Sequence, residues 1–109
     1  MAIYVRTSAP NRLLNRIREA IDEGVVSTWS YDRDGDFTHT SDRWRHTAWL
    51  RPQTETNLLT LNILSPRGTA LDRMTYAYYH GHFMQMLLAH FDDGFDEVEA
   101  SALAAPGDR

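Results

Sequence analysis

The chain has no cysteine and no lysine among its 109 residues, and each absence removes a class of chemistry. Without cysteine there is no disulfide, no thiolate nucleophile and no Cys-based zinc site, and the composition suits a reducing compartment. Without lysine there is neither Schiff-base catalysis nor the Walker lysine of a P-loop. All eleven basic residues are arginine, so every cation is a planar fork suited to carboxylates, phosphates or aromatic faces. Long apolar runs are missing too. None approaches the roughly 20 residues of a membrane-spanning helix, and the opening MAIYVRTSAPNR lacks the apolar stretch of a secretory signal. The expectation is a soluble, cytoplasmic protein. Internal repeats and low-complexity segments are also absent.

What remains is the composition of one folded domain, 42% hydrophobic and 11% aromatic, long enough to bury a core without disulfides or metal. The net charge of -4 is unevenly placed: residues 92–109 hold six acids against Arg109, while residues 1–91 hold ten arginines against nine acids. A nearly neutral body argues against broad electrostatic binding to nucleic acid. The division expected is a single domain over residues 1–95 and an acidic, partly mobile tail over 96–109, because Ser101 to Arg109 offers little to bury beyond Leu103.

The segment around which the domain must be organised is Thr69 to Phe91, the longest that is both apolar and helix-compatible. Thr69 and Asp72 stand three apart, as in a capping box, which predicts a helix from Thr69, with Gly94 as its stop. Leu71, Met74, Ala77, Tyr78, Gly81, Met84, Leu88 and Phe91 follow the spacing of one buried face; Tyr76, Tyr79, Phe83, Met86 and Leu87 form a second apolar flank. A helix apolar on two sides is packed over a broad sheet, or packed on one side and paired with another chain on the other. Tyr76, Tyr79, Phe83 and Met86 are therefore candidate homodimer contacts.

Earlier in the chain, Ala2 to Thr7 alternates as a strand, and Asn11 onward has the amphipathic spacing of a helix closed by Gly24. Val25 to Tyr31 and Phe37 to Thr40 read as a hairpin about Asp34-Gly35, a type I′ signal that would pair Arg33 with Asp36 and Trp29 with Thr40. Trp44 to Arg51 reads as a strand ending at Pro52, Gln53 to Asn57 as a connection, and Leu58 to Leu64 as a strand with Leu59, Leu61 and Ile63 inward. The order β-α-β-β-β-β-α, with the third strand short, predicts an α+β two-layer sandwich: a mainly antiparallel sheet of four to five strands carrying two helices on one face. The alternation resembles a ferredoxin-like fold without matching it, since no strand is expected after the last helix.

Side chains that could carry chemistry are scattered. Asp32, Asp34 and Asp36 flank Gly35 but lack the ligand spacing of an EF-hand, so no metal and no cofactor are expected. His80 and His82 lie two apart on a helix and point to different sides. His39 and His46 could meet across adjacent strands with Asp36 or Asp42 nearby, and with the Asp32 and Asp36 carboxylates would give a catalytic set for a small hydrolase or nucleic-acid-processing enzyme, yet no nucleophile motif accompanies them. The richer set is an open sheet face with Tyr4, Arg6, Arg45, Trp49 and Arg51, side chains that protein interfaces favour and that could also stack single-stranded bases. The favoured reading is a non-enzymatic, acidic protein-binding domain, an inhibitor or immunity-type partner of a basic enzyme; the alternatives are the hydrolase and the single-strand binder.

Overall fold

A computed structural model describes all residues, 1–109, as one antiparallel sheet of six strands with two helices, an α+β fold. Along the chain these are β1 (Ala2–Arg6), α1 (Pro10–Asp22), β2 (Trp29–Tyr31), β3 (Phe37–His39), β4 (Trp49–Glu55), β5 (Leu58–Leu64), α2 (Arg73–His90) and β6 (Glu97–Ala100). The spatial order is β2-β3-β4-β5-β1-β6. After β1 the chain therefore crosses three strands through α1 to reach the far edge, then returns as a meander.

The register puts Ile3 against Leu61, Val5 against Leu59, Leu50 against Ile63 and Phe37 against Leu50. These side chains share one face and one buried cluster with Leu13 and Ile17 of α1 and with Tyr79, Phe83 and Leu87 of α2. Pro10 opens α1 at a position where the missing amide would have had no helical partner. Pro52 lies inside β4 opposite Leu61. It is tolerated because β3 reaches β4 only at Leu50, which leaves the other edge of β4 free of ladder bonds at Pro52.

Several expectations are corrected. The β2–β3 turn is one residue longer than a type I′ turn: Asp32 N–H donates to the Asp36 carbonyl (3.1 Å), Gly35 sits at φ 86°, and Trp29 pairs with His39 instead of Thr40. A three-residue loop with a left-handed glycine accounts for the shift. Trp44 to Thr47 is not strand. Its backbone is diverted into turns tied down by Tyr79, whose hydroxyl donates to the Trp44 carbonyl, while the His46 amide donates to the Thr38 hydroxyl (3.0 Å). The strand begins instead at Trp49 and runs through Pro52, and Thr56-Asn57 is a two-residue turn with Asn57 at φ 60°. α2 starts at Arg73 because the Asp72 carboxylate, not Thr69, accepts from the Thr75 amide (2.8 Å).

The last segment also departs from expectation. Residues 97–100 form β6, pairing Val98 with Val5 and Glu99 with Tyr4, and raise the strand count to six. Beyond them the chain folds back over the opposite sheet face. Asn62 donates to the Asp108 carboxylate (2.9 Å) and to the Pro106 carbonyl (2.9 Å). The Arg109 amide donates to the Ile63 carbonyl (3.1 Å) and its carbonyl accepts from Ser65 (2.7 Å), filling the edge of β5 beyond the end of β1. The partners are backbone groups, Asn62, the Ser65 hydroxyl and the Met1 ammonium, which hydrophobic counting does not register.

Candidate functional site

The sheet face opposite the helices carries four of the five residues expected there. Tyr4 and Arg6 alternate with the core-facing Ile3 and Val5, and Trp49 and Arg51 flank the core-facing Leu50. Arg45 does not join them; it lies in the 41–47 turns and pairs with Asp42 at 2.9 Å. The face is also less available than alternation suggests. Arg51 grips the buried Asp36 carboxylate with two hydrogen bonds, from Nε (2.9 Å) and Nη2 (2.7 Å). Arg6 is shared between Glu97 (3.0 Å) and Glu99 (3.1 Å). Trp49 is half-buried and stacks on the His46 ring at 6.0 Å. The arginines that would meet a ligand are held by the protein's own acids.

Of the four residues of the catalytic alternative, Asp32 and Asp36 lie together, while His39 and His46 each have other neighbours. His39 is buried beside Trp29 (5.2 Å between rings), Tyr78 (5.1 Å) and His82 (5.6 Å), and its Nδ1 accepts from the Ser41 amide (3.1 Å). His46 lies against Trp49, Asp36 against Arg51, and Asp32 turns one carboxylate oxygen onto the Asp34 and Asp36 amides, both at 3.0 Å. The three hairpin carboxylates come within 4.8 Å of one another, but two of them are occupied in shaping the turn and in holding Arg51. None of five surface cavities, of about 250 to 380 Å³, brings His39, His46, Asp32 and Asp36 together.

α2 reverses the assignment of its two apolar flanks. Tyr79, Phe83, Met86 and Leu87, most of the flank expected to face a second chain, are buried in the core, with Tyr76 half-buried beside them. Tyr79, Phe83 and Met86 are therefore not dimer contacts. Met74 and Leu88, expected inside, are 66% and 55% exposed, and Ala77 and Gly81 lie between them on the same outward side. Beside this stripe runs a stack of flat groups: the Arg43 guanidinium 4.9 Å from the Trp44 ring, Trp44 on Tyr78 at 4.2 Å and Tyr78 on His82 at 3.9 Å. Trp44, Tyr78 and His82 are all half-buried, so they present a rigid aromatic ledge at little further entropic cost. The sequence signal for this face was available in Ala77 and Gly81, which are too small to fill a core facing a six-stranded sheet.

Two histidines of the core edge make stability depend on pH. His80 is buried, its Nδ1 lies against the Tyr76 carbonyl (2.7 Å), and its Nε2 has no partner. Burial holds it below the ordinary histidine value of 6.5. Burial does the same to His39, with the nearby His82 charge adding to the effect. Each folded-state pKa is depressed, so the unfolded chain binds more protons as the pH falls through 6.5, and stability drops from there down to the folded-state values. Urea unfolding should give a lower midpoint at about pH 5 than at about pH 7.5, and the difference should shrink in a His39→Gln, His80→Gln variant. Equal midpoints in the parent protein would refute the assignment. The carboxylates with lowered values, Asp72 and Asp108, act below 3.8 and leave this window clear.

Compared with family models, with curated proteins and with solved structures, the chain gives no match.

Proposed function

We propose that the chain is a small, non-enzymatic protein-binding domain whose contact surface is the outward face of α2 with the Trp44–Tyr78–His82 ledge along its flank. The observation that carries the reading is the exposure of Met74 and Leu88, 66% and 55%, on an 18-residue helix that holds one charged residue, Arg73. An exposed apolar stripe, broken only by Gln85, beside aromatic side chains is the composition of a contact surface, and its exposure has no structural return in the isolated chain. The separate surroundings of His39, His46 and the Asp32–Asp36 pair support the non-enzymatic side.

The acids beyond α2 support a basic partner. Asp92 and Asp96 are exposed without an ion pair, and Glu97 and Glu99 share Arg6. Such a cluster speeds encounter with a basic surface. An inhibitor or immunity-type partner of a basic enzyme is the specific form this takes, and the cysteine-free composition supports a cytoplasmic setting. No helix is long and apolar enough to cross a membrane.

The test is photo-crosslinking in the source cell, with the reactive group placed at Met74 or Leu88 and, as control, at Val25, which is 61% exposed in the segment after α1. Discrete adducts at positions 74 and 88, competed by unlabelled protein and absent at 25, are expected. Equal labelling at all three positions would remove the reading.

A further inference from the structure

We infer that the occupant of the α2 face is a second copy of this chain, the two helices crossing antiparallel at Gly81; the inference rests on reading that face as a protein-binding surface. A two-fold contact must be complementary to itself, since each residue that meets a second is met by it in return. The stripe satisfies this about one point. Met74 precedes Gly81 by seven residues and Leu88 follows it by seven. Antiparallel crossing at Gly81 therefore sets Met74 of each copy against Leu88 of the other.

The centre of the stripe is shaped for close approach. A Cβ placed on Gly81 would meet nothing within 4 Å, and Ala77 lies one turn away, so a facing helix can settle between the bulky residues at either end. Helix axes approach to the distance their contact side chains permit, and here those are a hydrogen atom and a methyl group.

Charge selects the orientation. Arg67 and Arg73 lie at the N-terminal end of α2, exposed and without an ion pair in the chain; Asp92 and Asp93 follow its C-terminal end, Asp93 paired with Arg16 and Asp92 unpaired. Antiparallel apposition brings Arg73 of each copy to the Asp92 end of the other, twice over, and it also opposes the helix dipoles. A parallel arrangement would set arginine against arginine and aspartate against aspartate. No carboxylate or guanidinium lies on α2 between Arg73 and Asp92. Two chains of net charge -4 can meet there without apposing like charges.

Sedimentation of the purified protein from micromolar to near-millimolar concentration tests this. A species of twice the 12.6 kDa chain mass is expected. Gly81→Leu should weaken the association roughly tenfold or more, since wedging a side chain into a close-packed contact costs about that much, while the melting temperature does not fall. Arg73→Glu and Asp92→Arg should each weaken it, and the double exchange should restore it. A monomer at every concentration, an unaffected Gly81→Leu, or a double exchange no better than the single ones would overturn the inference. The crosslinking adducts separate the two levels. An adduct at Met74 of another mass leaves the protein-binding reading standing and ends the two-fold contact; no adduct ends both.

Discussion

Phe83→Ala is expected to lower the stability of the domain by about 3 to 5 kcal/mol, the usual loss for truncating an enclosed aromatic residue. Phe83 has no exposed surface, and its ring lies 5.0 Å from Trp29 and 5.4 Å from Phe37. Trp29 is also in edge contact with Tyr79 at 5.5 Å and with His39 at 5.2 Å, so the ring joins α2 to both strands of the β2–β3 hairpin. These strands are three residues each and lie at one edge of the sheet. Short strands there depend on packing more than on ladder bonds. Met84→Ala, one residue along and half-exposed, should cost less than about 1 kcal/mol. Urea unfolding of the two variants reads the contrast. If Phe83→Ala were as mild as Met84→Ala, the inward and outward faces of α2 would have to be exchanged.

Arg51→Ala is expected to cost about 3 kcal/mol or more, because it strands a buried carboxylate. The Asp36 side chain is 5% exposed and Arg51 binds both its oxygens, at 2.9 and 2.7 Å. Asp36 also closes the hairpin turn through its backbone, so the pair fixes the tip of β2–β3 against β4, where β3 and β4 share a single paired position. The cost belongs to the orphaned charge more than to the lost contact. Asp36→Asn combined with Arg51→Ala should therefore be less destabilised than Arg51→Ala alone, a non-additivity of at least about 1 kcal/mol between neighbouring sites. Simple additivity in urea unfolding would show that the two side chains act independently.

Local chemistry made much of this fold legible. The alternation of Ile3 with Val5 and of Leu59, Leu61 and Ile63, and the spacing of Leu13, Leu14 and Ile17, each name the buried side directly, because one residue per step decides the face. The class of fold and the antiparallel sheet follow from those elements. What escaped was set by partners distant in sequence. Trp44 to Thr47 has the composition of a strand and is drawn into turns by Tyr79 and Thr38. Asp32 to Asp36 contains the Asp34-Gly35 hairpin signal, yet the Asp32 side chain binds two later amides and lengthens the loop. For α2 the period of 3.6 fits either flank, and the side is decided by volume: Tyr79, Phe83 and Leu87 fill the core, whereas Ala77 and Gly81 would leave it hollow. The α2 surface was hidden by the same ambiguity, and the open sheet face was legible in position while its arginines were already engaged.

The place of β1 in the sheet governs how the molecule assembles. Strands β2 to β5 pair with their neighbours in sequence, through turns of a few residues or, between β3 and β4, a loop of nine, so each closes quickly once its two halves exist. β1 is different: it lies between β5 and β6, with Ile3 facing Leu61 on one side and Ala100 on the other. Its second edge is covered only by residues 97–100, more than ninety positions away in sequence. Seating β1 depends on contacts far apart in sequence, and such contacts close more slowly than the local pairings of the meander.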